Sequence, residues 1–320
     1  MALLTVAGNA FIESIRQPIH AVLICVGVLA LVLNVNIAAY TLEDDNKLLI
    51  DLGLSTLFLV GLLLAAFTAT SVLSREIENK TVLTVVSKPV ARAVVVVGKY
   101  LGVAAAISSA YWLLAVAFLL TVRHRVQTTV RVEDTYDTVV ITFSLLAILV
   151  TLLVAGLANY LYRRPFASTF AVAGALAATA AWGIVSCIDR SWGLQRPGAE
   201  FNPQLAIGLA MVLEAILVLA AIAIAASTRL GQISTLVICI GCFLLGLVGE
   251  YFISLAGGGG CVAPLAAVIP NLQFFWPADA LTQGHPITLG YLGSLSLYAV
   301  CMVTAILSLA VLLFQGRDVG

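Results

Sequence analysis

Charge is scarce in this chain. Only 10% of its 320 residues are charged, 62% are hydrophobic, and the mean hydropathy is +1.10. Soluble domains carry about 25% charged residues, so this composition excludes a sizeable soluble domain and indicates lipid as the main solvent. The 16 basic and 16 acidic residues balance, so the net charge gives no indication of nucleic-acid binding.

Enzyme motifs are also missing. The three histidines (His20, His124 and His285) are scattered, and neither G-x-S-x-G nor H-E-x-x-H occurs. A phosphate loop, G-x-x-x-x-G-K-[ST], is absent, because Gly98-Lys99 is followed by Tyr100 within an apolar run. We therefore expect no enzymatic activity, no ATP hydrolysis, no cofactor and no metal site in this chain.

The six cysteines stand singly and mostly in apolar segments, where they resemble small hydrophobic residues more than a disulfide framework. Cys239 and Cys242 have C-x-x-C spacing, but their apolar surroundings favour helix packing over redox or metal chemistry. Cys187 and Cys261 are both predicted on the outer side, where a disulfide is permitted but not established by the sequence.

Long apolar runs dominate the chain. A span needs about 20 predominantly apolar residues. Eight runs qualify, and they cover residues 20–40, 52–73, 100–122, 139–161, 166–187, 204–226, 233–255 and 287–314. The fifth is rich in small residues and the sixth contains a polar one, so six spans stay an alternative. The predicted fold is an all-α polytopic membrane protein with six to eight spans, forming one domain over residues 1–320.

The basic residues predict the orientation. With the N-terminus inside, ten Lys and Arg residues fall on the cytoplasmic side and six outside. Because the number of spans is even, both termini are then predicted on the cytoplasmic side of a bacterial inner membrane. The loop at 123–131, with three arginines, fits this assignment worst. Glu13 and Arg16 precede the first apolar run and no A-x-A-like site ends it, so we expect no cleavable signal.

Residues 1–17 show near-helical apolar spacing with Asn9, Glu13 and Arg16 interleaved. This pattern predicts a short amphipathic helix at the inner interface, ended by Gln17-Pro18. A simple extension of the first span is the alternative.

Residues 74–102 form the longest cytoplasmic island. Glu76 and Lys80 are an i,i+4 pair, which favours a helix, and Pro89 disfavours helix at the preceding lysine. The pattern predicts a helical elbow over residues 74–93, between the second and third spans, with a break near Ser87. An ordinary charged loop is the alternative.

This island resembles the signature of ABC-2-type permeases of ABC transporters, including the relatives associated with multicopper-enzyme maturation and gliding motility. The shared pattern is an acidic pair and a threonine, a Ser-Lys-Pro-Val-x-Arg turn and Gly-Lys-x-x-Gly, at residues 76–81, 87–92 and 98–102. Lys80 departs from it, since family members often have Gly there. AGNAFIESIRQPI, STRLGQISTLVICIGCFLLG, PNLQFFWPADAL and LLFQGRDVG are similar to further family segments, in the same order.

The resemblance implies that the elbow is a coupling helix that docks on a separate ATPase subunit, which would hold the ATP and Mg. The residues implied in this contact are Arg75, Glu76, Glu78, Lys80, Thr81, Lys88, Pro89 and Arg92. It also implies an exporter in which two permease copies, identical or different, form the pathway in membrane lipid.

Two other features are candidates for function. Glu214 lies near the middle of the sixth predicted span, where a carboxylate is expensive and indicates either a pathway contact or a protonated or hydrogen-bonded acid facing another helix. Residues 257–286 are too broken by Gly and Pro to span, and they carry the aromatic cluster 274–276. They predict a re-entrant or interfacial segment, or a partly buried outer loop.

Two further functions stay open on the sequence alone. One is a membrane anchor or assembly component that is coupled to an ATPase without solute transport. The other is an ion-coupled secondary carrier that uses Glu214, although we find no internal repeat with paired broken helices.

Overall fold

The computed structural model describes residues 1–39, 45–78, 91–126, 136–255 and 270–315. Regular structure in this part of the chain is helical, apart from one isolated bridge between Ile188 and Leu194. The helices are α1 (Ala2–Ile15), α2 (Pro18–Ala38), α3 (Asp45–Glu78), α4 (Arg92–His124), α5 (Thr138–Tyr162), α6 (Phe166–Ser186), α7 (Pro203–Ser227), α8 (Gln232–Leu255), α9 (Ala278–Gln283) and α10 (Leu289–Gln315), with a 3₁₀ turn at Gln273–Phe275.

Eight of these helices, α2 to α8 and α10, are long and apolar enough to cross a membrane. The prediction of an all-α polytopic membrane protein is therefore confirmed, with eight candidate spans in place of the six-span alternative. We call the end of the bundle where α3 ends and α4 begins the elbow end, and the opposite end the far end.

The core of the bundle is built around α7. It is apolar on all sides and packs against α3, α4, α8 and α10, as expected for a fully buried helix. Of its most apolar stretch 67% is buried, against 22% for α5, whose leucines face outward. The sixth predicted span, expected to be among the weakest, is thus the most central one.

Helix α1 is separate from α2. It ends at Ile15, Gln17 is extended with ψ 132°, and Pro18 is the first residue of α2, because proline is well placed in the first turn of a helix. Ala10, Ser14 and Ile15 are buried while Leu4 and Ile12 are exposed. The position of α1 at a membrane interface stays a prediction.

Four charged side chains join the helices at the far end. Arg123 at the end of α4 lies 3.3 Å from Asp137 and 2.9 Å from Glu200, and Arg190 lies within 3.9 Å of both acids. The side chains of Arg123 and Asp137 are fully buried. We call Arg123, Asp137, Arg190 and Glu200 the far-end clasp.

The clasp is also hydrogen-bonded to the backbone, although Oε2 of Glu200, which Arg123 pairs at 2.9 Å, has no hydrogen-bond partner among the described residues. Arg123 also donates to the carbonyl oxygens of Val185 and Ile188, the latter at 2.6 Å. Asp137 accepts from the backbone N–H of Val140 and so caps α5. Arg123 is thus a structural charge, which explains why its loop fitted the orientation pattern worst.

Candidate coupling site

The predicted elbow begins on an uninterrupted helix. Helix α3 runs through Arg75 and Glu76 to Glu78, and α4 begins at Arg92. The side chains at 73–78, and all of residues 79–90, lie outside the described part. Lys80, Thr81, Lys88, Pro89 and the break near Ser87 therefore stay predictions.

Both helices at the elbow are longer than a membrane requires. Helix α3 has 34 residues and α4 has 33, which corresponds to about 50 Å each at 1.5 Å per residue. The hydrocarbon core is about 30 Å thick. Because the far ends of α3 and α4 lie side by side, where Asn46 accepts from the backbone N–H of Val126 at 3.3 Å, the excess length carries both helices toward the elbow.

Two polar contacts hold α3 about two turns before its end. The Ser71 hydroxyl donates to Gln17 Oε1 at 2.6 Å, which joins α3 to the junction of α1 and α2. The Lys99 ammonium donates to the carbonyl oxygen of Val72 at 3.1 Å, which joins α3 to α4. Lys99 is only 3% exposed, and a cation so deeply placed indicates a functional or structural constraint.

Helix α1 packs directly on α4 through two glycines. A Cβ at Gly102 would lie 2.4 Å from the carbonyl oxygen of Ala7 and 2.6 Å from the Cβ of Ala10. At Gly98 it would lie 2.8 Å from a methyl carbon of Val6. Small residues four apart allow such close approach of two helix backbones. The Gly-Lys-x-x-Gly motif therefore combines the α1 contact with the lysine that holds α3.

A buried polar seam continues from Ser71 into the bundle. Helices α2 and α3 are antiparallel, since Asn34 donates to Thr56 at 2.8 Å and Gln17 meets Ser71. The same register places His20 level with Thr68. We call Gln17, His20, Thr68 and Ser71 the elbow-end seam.

The elbow-end seam is incompletely hydrogen-bonded. His20 is 0% exposed and Thr68 is 1% exposed. Both ring nitrogens of His20, the hydroxyl of Thr68 and Nε2 of Gln17 have no hydrogen-bond partner among the described residues. Buried polar groups are normally paired, so these atoms mark a place where the contacts of α2 and α3 can change.

Sequence reasoning missed Gln17, His20, Ser71 and Lys99 as members of this site. Lys99 left a signal, because a lysine inside an apolar run is unusual. Gln17 and Ser71 left none, since their pairing across 54 residues depends on tertiary structure.

Glu214 does not belong to this site. It lies in the middle of α7, and its Oε1 is 2.5 Å from the Ser296 hydroxyl on α10. Its Oε2 is buried without a partner among the described residues. The geometry is that of a hydrogen-bonded acid facing another helix, and a role in a transport pathway stays a prediction.

The described part of the predicted outer segment packs deep against the bundle. Trp276 lies 6.0 Å from Phe58, and Phe58 lies 4.7 Å from Phe243 on α8. The backbone N–H of Leu272 donates to the carbonyl oxygen of Gly246, nine residues before the end of α8. The N–H of Ile287 donates to Gln204 at the start of α7. Residues 257–269 lie outside the described part, and so does Cys261, which leaves the Cys187–Cys261 disulfide untested.

Comparison with known proteins agrees with the geometry of the elbow end. A search of curated proteins gives no match. The family model described as "ABC-2 family transporter protein" matches residues 4–186, which include α1 to α6 and the complete elbow. More than half of the chain is matched, although the multicopper-enzyme and gliding-motility subgroup stays a prediction. The chain therefore belongs to the ABC-2 family of transporter proteins, as a multi-pass membrane domain of the permease type.

Proposed function

We propose that this protein is the transmembrane subunit of an ABC exporter, powered by a separate ATPase chain that binds ATP and Mg. Family membership supports a permease, and a sequence without a phosphate-loop motif supports a separate ATPase chain. The observation that carries the proposal is the elbow end. There α3 and α4 meet, each longer than a membrane span requires, and α3 is held by Gln17 and Lys99 before residues 79–90.

Coupling follows from the continuity of α3. A helix transmits an axial push or a tilt along its length, because each turn is hydrogen-bonded to the next. Movement of an ATPase against Glu78 would reach Ser71 two turns away, then Thr68. The movement would pass to α2 through Gln17 and to α4 through Lys99. The contacts of the elbow-end seam would then differ between the inward-facing and outward-facing states.

The ATPase contact itself is assigned to the elbow. Charged side chains suit the polar rim of a docking surface, where they steer the partner and set its register. The residues proposed to make this contact are Arg75, Glu76, Glu78, Lys80, Thr81, Lys88, Pro89 and Arg92. Arg92 is half-buried at the first turn of α4, so it would position the elbow as well as contact the partner.

A second permease copy completes the proposed assembly. The outward-facing leucines of α5 suit lipid or another apolar helix. Both termini are proposed to lie on the cytoplasmic side of a bacterial inner membrane. The segment around Trp276 is proposed to be re-entrant from the outer face, because its contacts lie level with the middle of α3 and α8.

Affinity purification of the tagged protein from its native membrane, followed by identification of co-purifying chains, tests the proposal. We expect a stoichiometric ATPase with a phosphate loop. Reversing Glu76 and Glu78 to Lys should abolish its recovery while the permease still inserts. The matched control reverses Glu133 and Asp134, predicted on the opposite side, and should leave recovery unchanged. Equal recovery of the ATPase with the wild type, the Glu76/Glu78 variant and the control would refute the coupling role of the two acids. Absence of any ATPase from the wild-type preparation would refute the proposal that a separate ATPase powers this protein.

A further inference from the structure

We propose that Glu214 is a proton-binding site inside the membrane, and that its proton stabilises the contact between α7 and α10. The first observation is that the Ser296 hydroxyl lies within hydrogen-bond distance of two acceptors. It lies 2.9 Å from the carbonyl oxygen of Leu292, one turn earlier on α10, and 2.5 Å from Oε1 of Glu214.

A serine hydroxyl has one hydrogen and can donate only once. Donation to the carbonyl of Leu292 is the usual arrangement of a helical serine. In the proposed protonated state the glutamic acid is the donor in the short contact, with its hydrogen on Oε1. Ser296 accepts this hydrogen bond through a lone pair.

The second observation is the surroundings of the other carboxyl oxygen. Oε2 of Glu214 is buried and has no hydrogen-bond partner among the described residues. An ionised carboxylate would leave negative charge on that oxygen, and the desolvation of an unpaired charge costs far more than that of a neutral acid. The neutral, protonated form is the one that fits.

No described cation lies within ion-pair distance of Glu214. Several titratable groups on the helices that pack around it make neither an ion pair nor a hydrogen bond with it. They include Asp51 on α3, Tyr100 and Tyr111 on α4, Cys239 and Cys242 on α8, Asp279 on α9, and Tyr291, Tyr298 and Cys301 on α10. Tyr100 and Tyr111 donate instead to the carbonyl oxygens of Leu217 and Leu209 on α7. The proton on Glu214 is therefore stabilised by the burial of the carboxyl group away from any described cation.

Helices α7 and α10 run in parallel and keep one register along their length. Gln204 meets Ile287, Glu214 meets Ser296, and Arg229 donates to the carbonyl of Leu313. Glu214 is the midpoint of this contact. If α10 moves away and water enters, the O–H bond of the acid breaks, the proton goes to water, and Ser296 keeps its bond to Leu292. Closure takes the proton back, so by linkage a rising pH favours separation of the two helices.

Infrared spectroscopy of the purified full chain in lipid nanodiscs tests protonation without any ATPase. We expect a protonated-carboxyl C=O band at neutral pH that shifts in D₂O and disappears in Glu214→Gln. In Ser296→Ala the band should move to higher frequency, because the acid loses its acceptor. Identical carboxyl bands in wild type and Glu214→Gln at neutral pH would show an ionised Glu214 and overturn the proposal.

Distance measurement tests the link to helix separation. Spin labels at Asn202→Cys and Leu289→Cys, at the exposed starts of α7 and α10, are placed in a background without the six native cysteines. The distance should increase with pH in the labelled parent and stay constant in Glu214→Gln, which cannot ionise. A pH response that persists in Glu214→Gln would contradict the assignment. Neither measurement depends on the proposed ATPase.

Discussion

The two ends of the bundle treat their buried polar groups in opposite ways. The far-end clasp contains two arginines and two acids that form ion pairs, and both arginines also donate to backbone carbonyls. Of its buried oxygens, Oε2 of Glu200 is ion-paired but has no hydrogen-bond partner among the described residues. The elbow-end seam contains neutral side chains, several of whose buried polar atoms have no partner among the described residues. Opening a buried ion cluster costs much free energy, because it leaves charges without partners. A seam whose buried polar atoms already lack partners loses few hydrogen bonds when it rearranges. The comparison identifies the far-end clasp as the fixed contact and the elbow-end seam as the adaptable one.

The position of each cluster agrees with this division. The far-end clasp connects α4, α5 and the loop between α6 and α7, so it ties the weakly buried α5–α6 pair to the core. The elbow-end seam lies between α3 and the start of α2. Its α3 residues, Thr68 and Ser71, belong to the same helix that continues to Glu78 in the elbow. Motion imposed at the elbow would therefore reach the adaptable contacts first.

Breaking the far-end clasp should have the largest effect. In Arg123→Gln, Asp137 loses its buried partner, and we expect the free energy of unfolding to fall by about 3–5 kcal/mol. Arg196→Gln removes an exposed arginine from the loop between α6 and α7, which also carries Arg190 and Glu200, and should change the free energy of unfolding by less than about 0.5 kcal/mol. Thermal unfolding in detergent measures both. Similar melting temperatures for the two variants would show that the clasp does not fix the far end.

Separating α1 from α4 should have the next largest effect. In Gly102→Ala the new methyl group meets the backbone of α1, and we expect a loss of about 1–3 kcal/mol. Gly183→Ala, where a Cβ meets nothing within 4 Å, should be neutral or slightly stabilising because alanine favours helix. Limited proteolysis between α1 and α2, together with the melting temperature, distinguishes the two. Equal protection of α1 in both variants would contradict the close packing.

Removing the lysine that holds α3 should separate coupling from stability. Lys99→Met keeps the length of the side chain but loses the bond to Val72, and we expect a loss of about 1 kcal/mol. Stimulation of the ATPase by the permease should nevertheless fall by about fivefold or more. Lys47→Met, an exposed lysine at the far end, is the control. Full stimulation with Lys99→Met would remove this lysine from the coupling route.

The smallest effect on stability is expected at His20. A buried polar group without a partner costs about 1–3 kcal/mol, so His20→Leu should leave the free energy of unfolding unchanged or raise it by about 1 kcal/mol. The contrast with Arg123→Gln, measured by the same unfolding assay, sharpens the comparison of the two ends. A loss of several kcal/mol in His20→Leu would mean that the seam is as firmly satisfied as the clasp.

The sequence was sufficient for the number and approximate limits of the spans, because the thickness of a bilayer imposes runs of about 20 apolar residues. The first span was predicted at 20–40 and observed at Pro18–Ala38. The third span was predicted to begin at residue 100, eight residues after α4 begins at Arg92, because hydropathy detects the membrane-embedded part of a helix and not its extension into water. The helical pattern after the predicted break near Ser87 already indicates such an extension.

Side-chain pairing was not predictable in the same way. Arg123 was interpreted as an orientation charge, although its partner Glu200 lies in another loop, 77 positions along the sequence. The contact of Glu214 with Ser296 likewise joins two spans that pattern analysis treats separately. The elbow could be located from its residue types and spacing, but the residues that hold it, Gln17 and Lys99, emerged from the packing of α1, α3 and α4.

The most direct test of the account measures one distance at each end of the bundle during ATP turnover, in the complex with its ATPase. Spin labels at Arg16→Cys and Ala91→Cys report on the elbow end, and labels at Tyr136→Cys and Leu194→Cys report on the far end. All four positions are exposed. We predict that trapping the hydrolysis transition state changes the elbow-end distance and leaves the far-end distance unchanged. A change at the far end with a constant elbow-end distance would contradict the account.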